Sequence, residues 1–130
     1  MRVIIAGSRG ITDYNLVKFA IKRSGFDITE VVSGTARGVD SLGEKWAQEF
    51  GKSVKQFPAE WDTYGRGAGY IRNEEMARYA DALIAIWDGT SKGTKHMIDE
   101  AVKKGLSVFT FKPLAYPDGT KVIHSDLSLQ

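Results

Sequence analysis

The feature that most constrains the fold is a recurring unit in which a short apolar run ends in a glycine-containing loop and a helical pattern follows. The apolar runs occupy residues 2–6, 30–33 and 82–87. Almost continuous apolarity is typical of parallel strands that are covered on both faces. Strands that alternate with helices predict a parallel sheet with right-handed crossovers. We therefore predict an α/β fold, a doubly wound Rossmann-like domain with helices on both faces of a mostly parallel sheet.

Two further runs, residues 53–57 and 107–111, bring the predicted sheet to five strands. Residues 58–69 separate the third strand from the next helix and carry no clear periodicity. Connections of this length are usually functional or mobile. This stretch is therefore predicted to be a long irregular loop.

The predicted helices have recognisable ends. Thr12 or Asp13 caps the first helix, and the second presents an apolar face that extends to Phe50. The next helix begins at about Gly69, and the last begins at Thr94. Each helix follows a strand, as the doubly wound fold requires.

The last part of the chain, residues 112–130, contains a Pro117-Asp118-Gly119 turn and weak alternation. This pattern predicts a C-terminal hairpin or a strand laid on the edge of the sheet. At 130 residues the chain has room for one core. We predict one domain, formed by residues 1–113 and extended by residues 114–130.

Composition excludes several classes of function. The net charge is only +2, so any anion site must come from local placement of charges. The absence of cysteine excludes disulfides and thiolate chemistry. Neither His96 nor His124 has a partner at metal-ligand spacing, so we predict no metal and no cofactor. No apolar stretch approaches the ~20 residues of a membrane span, which predicts a cytoplasmic protein without a membrane partner.

The loops after the strands are candidate anion sites, because glycine lets a ligand approach the free N–H groups of a helix start. Parallel strands bring their loops to one edge of the sheet, where ligands of such folds bind. The sequence lacks a complete Gly-x-Gly-x-x-Gly and a Walker lysine motif, which argues against a standard dinucleotide site or a P-loop. The candidate ligand-binding residues in these loops are Gly7, Ser8, Arg9, Ser33, Gly34, Thr35, Arg37, Asp88, Gly89, Thr90, Ser91, Lys92, Gly93 and Thr94.

Charged and aromatic side chains follow the same loops. Four arginines, at positions 9, 37, 66 and 72, lie in or just after the loops, which suits a phosphate. Trp61 and Tyr64 either stack on a base or close the loop onto the body of the protein. Asp40 has a structural and a catalytic interpretation: it complements the dipole of the second helix or pairs with Arg37, or it takes part in catalysis.

Four segments of the chain resemble the SLOG superfamily, which includes the Smf/DprA DNA-processing proteins and the LOG phosphoribohydrolases. Within it the chain resembles the small YspA/YpsA-related branch. The resemblance covers residues 1–113 and is most specific over residues 33–40. The segments that carry it are Gly7-Ser8-Arg9, Ser33-Gly34-Thr35-Ala36-Arg37-Gly38-Val39-Asp40, the stretch from Tyr64-Gly65 to Arg72-Asn73-Glu74-Glu75-Met76, and Gly93-Thr94.

The resemblance implies a pocket for a phosphorylated nucleotide derivative of the ADP-ribose, NAD or cyclic-nucleotide type, in which Arg72 and Asn73 would take part. The protein would then act as a sensor or sequestering protein, including in phage–host immune signalling. One alternative is a nucleotide N-glycosidase or phosphoribohydrolase using Arg72 and Asp88, although Met97 stands where those enzymes have a glutamate. Another is DprA-like binding of single-stranded DNA, which the charge pattern does not favour. The related enzymes are dimers, so we expect a homodimer or a higher homo-oligomer.

Overall fold

The computed structural model describes the backbone of residues 1–115 and 121–126 and the side chains of residues 1–113. The strands are β1 (Arg2–Gly7), β2 (Glu30–Ser33), β3 (Ser53–Gln56), β4 (Ala82–Ile86), β5 (Ser107–Ala115) and β6 (Lys121–Asp126). The helices are α1 (Tyr14–Ser24), α2 (Val39–Glu49), α3 (Trp61–Tyr64), α4 (Ala68–Tyr79) and α5 (Lys92–Lys103), with a 3₁₀ turn over Gly65–Gly67.

The strands form one sheet in the order β3-β2-β1-β4-β5-β6. The first five strands are parallel, and β6 pairs antiparallel with β5 at one edge. The chain moves outward from β1 to β3 and then returns to place β4 on the other side of β1. The strand order therefore reverses between β1 and β4, and the loops after these strands diverge there. The predicted doubly wound α/β fold is confirmed.

Each face of the sheet has its own apolar core. Val3 and Ile5 of β1 face the layer that contains α1 and α2, whereas Ile4 faces α4 and α5. Successive side chains of a strand point to opposite faces, so a strand buried on both sides must be apolar throughout. All five residues of β4 are buried, which explains the continuous apolar run in the sequence there.

The predicted long irregular loop is wrong in part. Residues 61–79 run through α3, the 3₁₀ turn and α4 almost without interruption. Every residue of α3 and of the turn is exposed, so this segment has no buried apolar face that could produce a helical periodicity in the sequence. The connection is therefore a helical segment at the mouth of the fold.

Capping residues set two helix starts. Asp13 caps α1 by accepting a hydrogen bond from the Asn15 N–H at 3.0 Å, as expected. Helix α5 begins at Lys92, two residues before the expected position. Ser91 is its cap, because the Ser91 hydroxyl accepts a hydrogen bond from the Thr94 N–H at 3.3 Å.

Two further differences concern helix and strand ends. Phe50 lies beyond the end of α2 and is exposed, rather than part of its inner face. Strand β5 continues to Ala115, which gives β6 a partner and confirms a strand on the edge of the sheet. The predicted Pro117-Asp118-Gly119 turn lies outside the described residues. Within the part of the chain that the structure describes, no helix combines the length and apolarity needed to cross a bilayer.

Candidate functional site

A cavity of about 500 Å³ opens at the carboxyl ends of β1 and β4, where the strand order reverses. The loops after these strands form part of its wall, and the rest comes from the first turns of α2 and α5, the inner face of α4, Trp61 of α3 and Arg66 of the 3₁₀ turn. Ligands of open α/β sheets bind at this position. The fold thus places the cavity where the glycine loops were expected to meet.

Gly7 and Ser8 join the two central loops. A Cβ atom at Gly7 would lie 2.1 Å from the Ile86 carbonyl oxygen, so no larger residue fits there. The Ser8 N–H donates to the Ile86 carbonyl at 3.1 Å, and the Ser8 hydroxyl accepts from the Asp88 N–H at 3.0 Å. These contacts fix the β1 loop to the β4 loop and leave little freedom in the cavity wall.

The loop between β2 and α2 lies against the β1 loop. Gly38 has φ +75°, and a Cβ atom there would lie 2.5 Å from the Arg9 carbonyl oxygen. Thr35 also has a positive φ of 64°, which is unfavourable for a β-branched residue. Ser33 holds this turn: its hydroxyl accepts from the Thr35 N–H at 3.1 Å and donates to the Glu44 carboxylate at 2.5 Å. Ser33 and Thr35 therefore shape the loop rather than line the cavity.

Arg72 reaches across the cavity from α4 to this loop. Its Nη1 donates to the Gly34 carbonyl, and its Nε donates to Asn73 Oδ1 at 3.0 Å. Burial lowers the pKa of Arg72, the nearby Asp40 charge raises it, and the Arg9 charge lowers it. Because the ordinary pKa of a guanidinium is so high, Arg72 stays charged and presents its remaining donors to the cavity.

Asp40 is the buried carboxylate of the cavity wall. The residue is only 5% exposed, and burial raises the pKa of its carboxyl to about 6. The N–H groups of Ala36, at 3.2 Å, and of Gly7 and the charge of Arg72 act in the opposite direction, whereas Glu44 raises the pKa further. The ion pair with Arg37 does not form, since that side chain is exposed and lies outside the cavity.

Asn73 links α4 to α5. Its Nδ2 donates to the Gly93 carbonyl at 3.3 Å and lies 3.2 Å from His96 Nδ1. The His96 ring in turn stacks on Tyr70, with ring centres 4.1 Å apart and planes inclined by 18°. His96 therefore supports an aromatic side chain of the cavity.

Asp88 organises the loop between β4 and α5. Its Oδ1 accepts from the Thr90 N–H at 2.8 Å, the Ser91 N–H at 2.8 Å and the Thr90 hydroxyl at 3.1 Å. The Thr90 N–H, the largest of these influences, holds the pKa of Asp88 below its usual range. Oδ1 of this carboxylate is thus occupied by hydrogen bonds within the loop, although Asp88 still borders the cavity.

Aromatic rings stand at the mouth of the cavity and two methionines form part of its apolar wall. Trp61 and Tyr70 line the cavity while remaining 51% and 49% exposed. Tyr64 is exposed outside the lining. Met97 is 1% exposed and borders the cavity together with Met76, and both belong to the core beneath α4 and α5. Met97 therefore serves packing and the cavity wall together.

The structure brings ten of the eighteen candidate ligand-binding residues into the cavity wall: Gly7, Ser8, Arg9, Trp61, Arg72, Asn73, Asp88, Ser91, Gly93 and Thr94. The other eight lie outside it: Ser33, Gly34, Thr35, Arg37, Tyr64, Gly89, Thr90 and Lys92. Arg66, one of the arginines expected to suit a phosphate, also borders the cavity, as does Tyr70, which sequence reasoning did not assign to the ligand. Helical spacing was the available signal for Tyr70 and Met76, because Tyr70 lies three residues before Asn73 and Met76 lies four residues after Arg72. Among the described residues, no group of three or more metal-ligating side chains comes together.

Comparisons with known proteins agree with this architecture. Residues 1–64 match the model of the YspA, cpYpsA-related SLOG family. The chain is 38% identical over 120 residues to the Gene 61 protein of Mycobacterium phage D29, covering 85% of this chain and 95% of that protein. It also resembles the crystal structure of DNA processing protein A (DprA) from Streptococcus pneumoniae, with a TM-score of 0.69 and 20% identity. That match covers 92% of this chain and 52% of DprA, so the chain spans about half the length of DprA and the likeness concerns the fold. The chain belongs to the YspA, cpYpsA-related SLOG family.

Proposed function

We propose that the protein binds a phosphorylated nucleotide derivative in the cavity at the carboxyl ends of β1 and β4. The observation that carries the proposal is the convergence of three arginines, Arg9, Arg66 and Arg72, on one cavity. Guanidinium groups bind phosphate through paired, charge-assisted hydrogen bonds. None of the three forms an ion pair with any residue that the structure describes. Apart from the Nε and Nη1 donors that Arg72 uses on Asn73 and Gly34, their donors are therefore available to an anion.

The aromatic rings support the nucleoside half of the proposed ligand. Trp61 and Tyr70 are about half exposed, yet each borders the cavity. Flat rings in such positions stack on bases, and stacking is worth about 1–3 kcal/mol per base. The His96 ring fixes Tyr70 from behind, so the ring is already oriented when a ligand arrives.

Binding without turnover is the form of the proposal that we favour. Hydrolysis of an N-glycosidic bond needs a carboxylate beside the sugar, and Met97 offers a thioether at the position where phosphoribohydrolases have a glutamate. The fallback, Asp88, already accepts three hydrogen bonds within its own loop. We therefore propose a sensor or sequestering protein, and a phage-encoded relative is in keeping with a role in signalling between phage and host.

The test is titration calorimetry against ADP-ribose, NAD, nucleoside monophosphates and cyclic nucleotides. We expect one member to bind, and Arg72→Ala to weaken that binding about 10- to 100-fold through the loss of charged hydrogen bonds. Arg78→Ala is the matched control, because Arg78 lies on the same helix and pairs with Glu74 on the exposed side. A folded protein that binds no member of the panel would overturn the proposal.

We also propose that the protein is a homodimer or a higher homo-oligomer, as expected from its enzyme relatives. The exposed ring of Tyr64, which lies outside the cavity wall, supplies apolar surface for such a contact. Light scattering at micromolar concentration checks this proposal directly. A mass equal to that of one chain would contradict it.

A further inference from the structure

The cavity contains a buried carboxylate, Asp40, whose charge is offset only through space by the nearby guanidinium of Arg72. Asp40 is buried, and among the residues whose side chains are described its direct hydrogen-bond donors are the backbone N–H groups of Ala36 and Gly7. Within the described part of the chain it forms no ion pair. A buried carboxylate that forms no ion pair lowers the stability of the folded protein, because burial disfavours the ionised form. The position suggests a use for the carboxylate in the cavity.

A carboxylate selects the part of a ligand that can lie beside it. An ionised carboxylate only accepts hydrogen bonds, so it repels a phosphate and requires a hydroxyl or an N–H group. Arg72 requires a hydrogen-bond acceptor on the ligand, because a guanidinium only donates hydrogen bonds. A ligand that satisfies both must therefore carry an anionic group and a hydrogen-bond donor at neighbouring positions.

The short distance between Arg72 and Asp40 limits which groups of a ligand can contact both side chains. A Cβ atom at Gly34 would lie 2.8 Å from Arg72 Nη1 and 2.9 Å from Asp40 Oδ2, so both groups flank the same glycine. The hydroxyls of a sugar phosphate lie a few bonds from the phosphate, whereas the amino group of a base lies on the far side of the sugar. The juxtaposition of Arg72 and Asp40 thus fits a phosphate and a hydroxyl of one sugar.

We propose that Asp40 accepts a hydrogen bond from a ribose hydroxyl, so that the site selects a nucleotide that carries this hydroxyl over its deoxy counterpart. This inference rests on the proposed function, since it specifies the sugar of the nucleotide bound there. In this arrangement Arg72 binds the phosphate and Asp40 accepts a hydrogen bond from the sugar. Trp61 and Tyr70 then stack on the base. A hydrogen bond to a charged group is worth about 10- to 100-fold in affinity.

The first experiment uses the unmodified protein. The affinities of AMP and ADP are compared with those of their 2′-deoxy and 3′-deoxy counterparts by calorimetry. We expect the loss of one hydroxyl to weaken binding at least about 10-fold. Equal affinity across the series would overturn the role of Asp40 and leave the proposed nucleotide site intact. If neither AMP nor ADP binds, the inference is overturned, and the wider ligand panel judges the proposed function separately.

The second experiment assigns the preference to its residue. Asp40→Asn preserves the volume of the side chain but removes its charge, and we expect it to weaken AMP binding while leaving 2′-deoxy-AMP or 3′-deoxy-AMP nearly unaffected. Asp27→Asn is the control, because Asp27 is exposed before β2, at the opposite end of the sheet. A preference for ribose that survives in Asp40→Asn would show that another residue reads the hydroxyl.

Discussion

The charged side chains at the two ends of the sheet differ in whether they have partners within the chain. At the amino ends of the strands, Arg2 pairs with Asp81 at 3.5 Å and lies 4.7 Å from the ring centre of Tyr79. The Tyr79 hydroxyl donates to Glu30, and the amino group of Met1 donates to the Asp27 carbonyl at 2.7 Å. Every charged group named here has its partner within the chain.

At the carboxyl ends, three arginines and Asp40 border the same cavity without forming an ion pair among the described residues. Both ends have similar residue types, so composition does not distinguish them. The difference is that the charged groups of the amino end are paired within the chain, whereas the arginines and Asp40 of the carboxyl end form no ion pair among the described residues. The first end serves the fold, and we propose that the second serves a ligand.

The largest expected effect comes from adding a charge beneath the cavity. Met97→Glu places a carboxyl group in the core under α4 and α5, and we expect it to lower the free energy of unfolding by several kcal/mol, about 3 or more. Urea unfolding measures this loss. Val102→Glu on the exposed face of the same helix is the control and should change stability little. A stable Met97→Glu protein that releases free base from nucleotides would show instead that the glutamate faces the ligand.

The second-largest expected effect is a pH dependence of the stability of the fold, which arises from the protonation of Asp40. The folded state raises its pKa from 3.8 to about 6, so the folded protein holds this proton more tightly than the unfolded chain. The resulting stabilisation is fully present below about pH 4 and is lost as the pH rises through about 6. A shift of this size corresponds to about 3 kcal/mol at most. Asp40→Asn removes the titration.

We therefore expect Asp40→Asn to be more stable than the original protein at pH 7.5, and this advantage to shrink towards pH 4. Thermal unfolding at several pH values measures the difference between the two proteins, in which the titration of the other groups cancels. Arg72 and Glu44 are the charged groups that act on Asp40, and neither changes in the variant. An advantage that does not depend on pH would contradict the raised pKa.

A pair of arginine variants tests the contrast between the two ends. Arg2→Ala should reduce stability slightly and leave nucleotide affinity unchanged, since an exposed ion pair contributes little. Arg66→Ala should leave stability unchanged and weaken nucleotide binding about 10-fold. Unfolding curves measure the stability of each variant, and calorimetry measures its affinity for the nucleotide. An Arg2→Ala protein with impaired binding would remove the distinction.

The smallest expected effect is that of salt on binding. A cavity that holds one or two phosphates should lose little affinity between 50 and 200 mM salt, whereas a protein that tracks six phosphates of DNA loses about 10³-fold. Titrations with a nucleotide and with a ~20-mer oligonucleotide at both salt concentrations measure the two slopes. Tight oligonucleotide binding with a steep slope would favour single-stranded DNA as the ligand of the carboxyl end.

Sequence reasoning succeeded where a residue's role depends on its near neighbours. The runs at β1 and β4 are apolar because both faces are covered, and Asp13 is a cap because its side chain reaches an N–H two residues away. It failed at α3, where every side chain is exposed and helix formation leaves no apolar pattern. It also failed at Phe50, whose helical spacing continues one residue beyond the helix end.

The candidate site shows the same division. The sequence identified the glycine loops, but it could not tell a glycine that faces a ligand from one that faces another loop. Gly38 is required because the Arg9 carbonyl lies against it, and Ser33 is buried because it fixes Thr35. His96 likewise acts through Tyr70, a residue on another helix.

The order of apolar runs, glycines and helix signals by itself determined the α/β class and the edge of the sheet where loops gather. These properties follow from local spacing and from the handedness of crossovers, which any chain with this pattern obeys. Only the tertiary structure decided which arginines converge, that Asp40 stands beside Arg72 rather than Arg37, and that Met97 borders both core and cavity. Those outcomes depend on distances between elements far apart in the chain, and such distances are set by how the helices pack on the sheet.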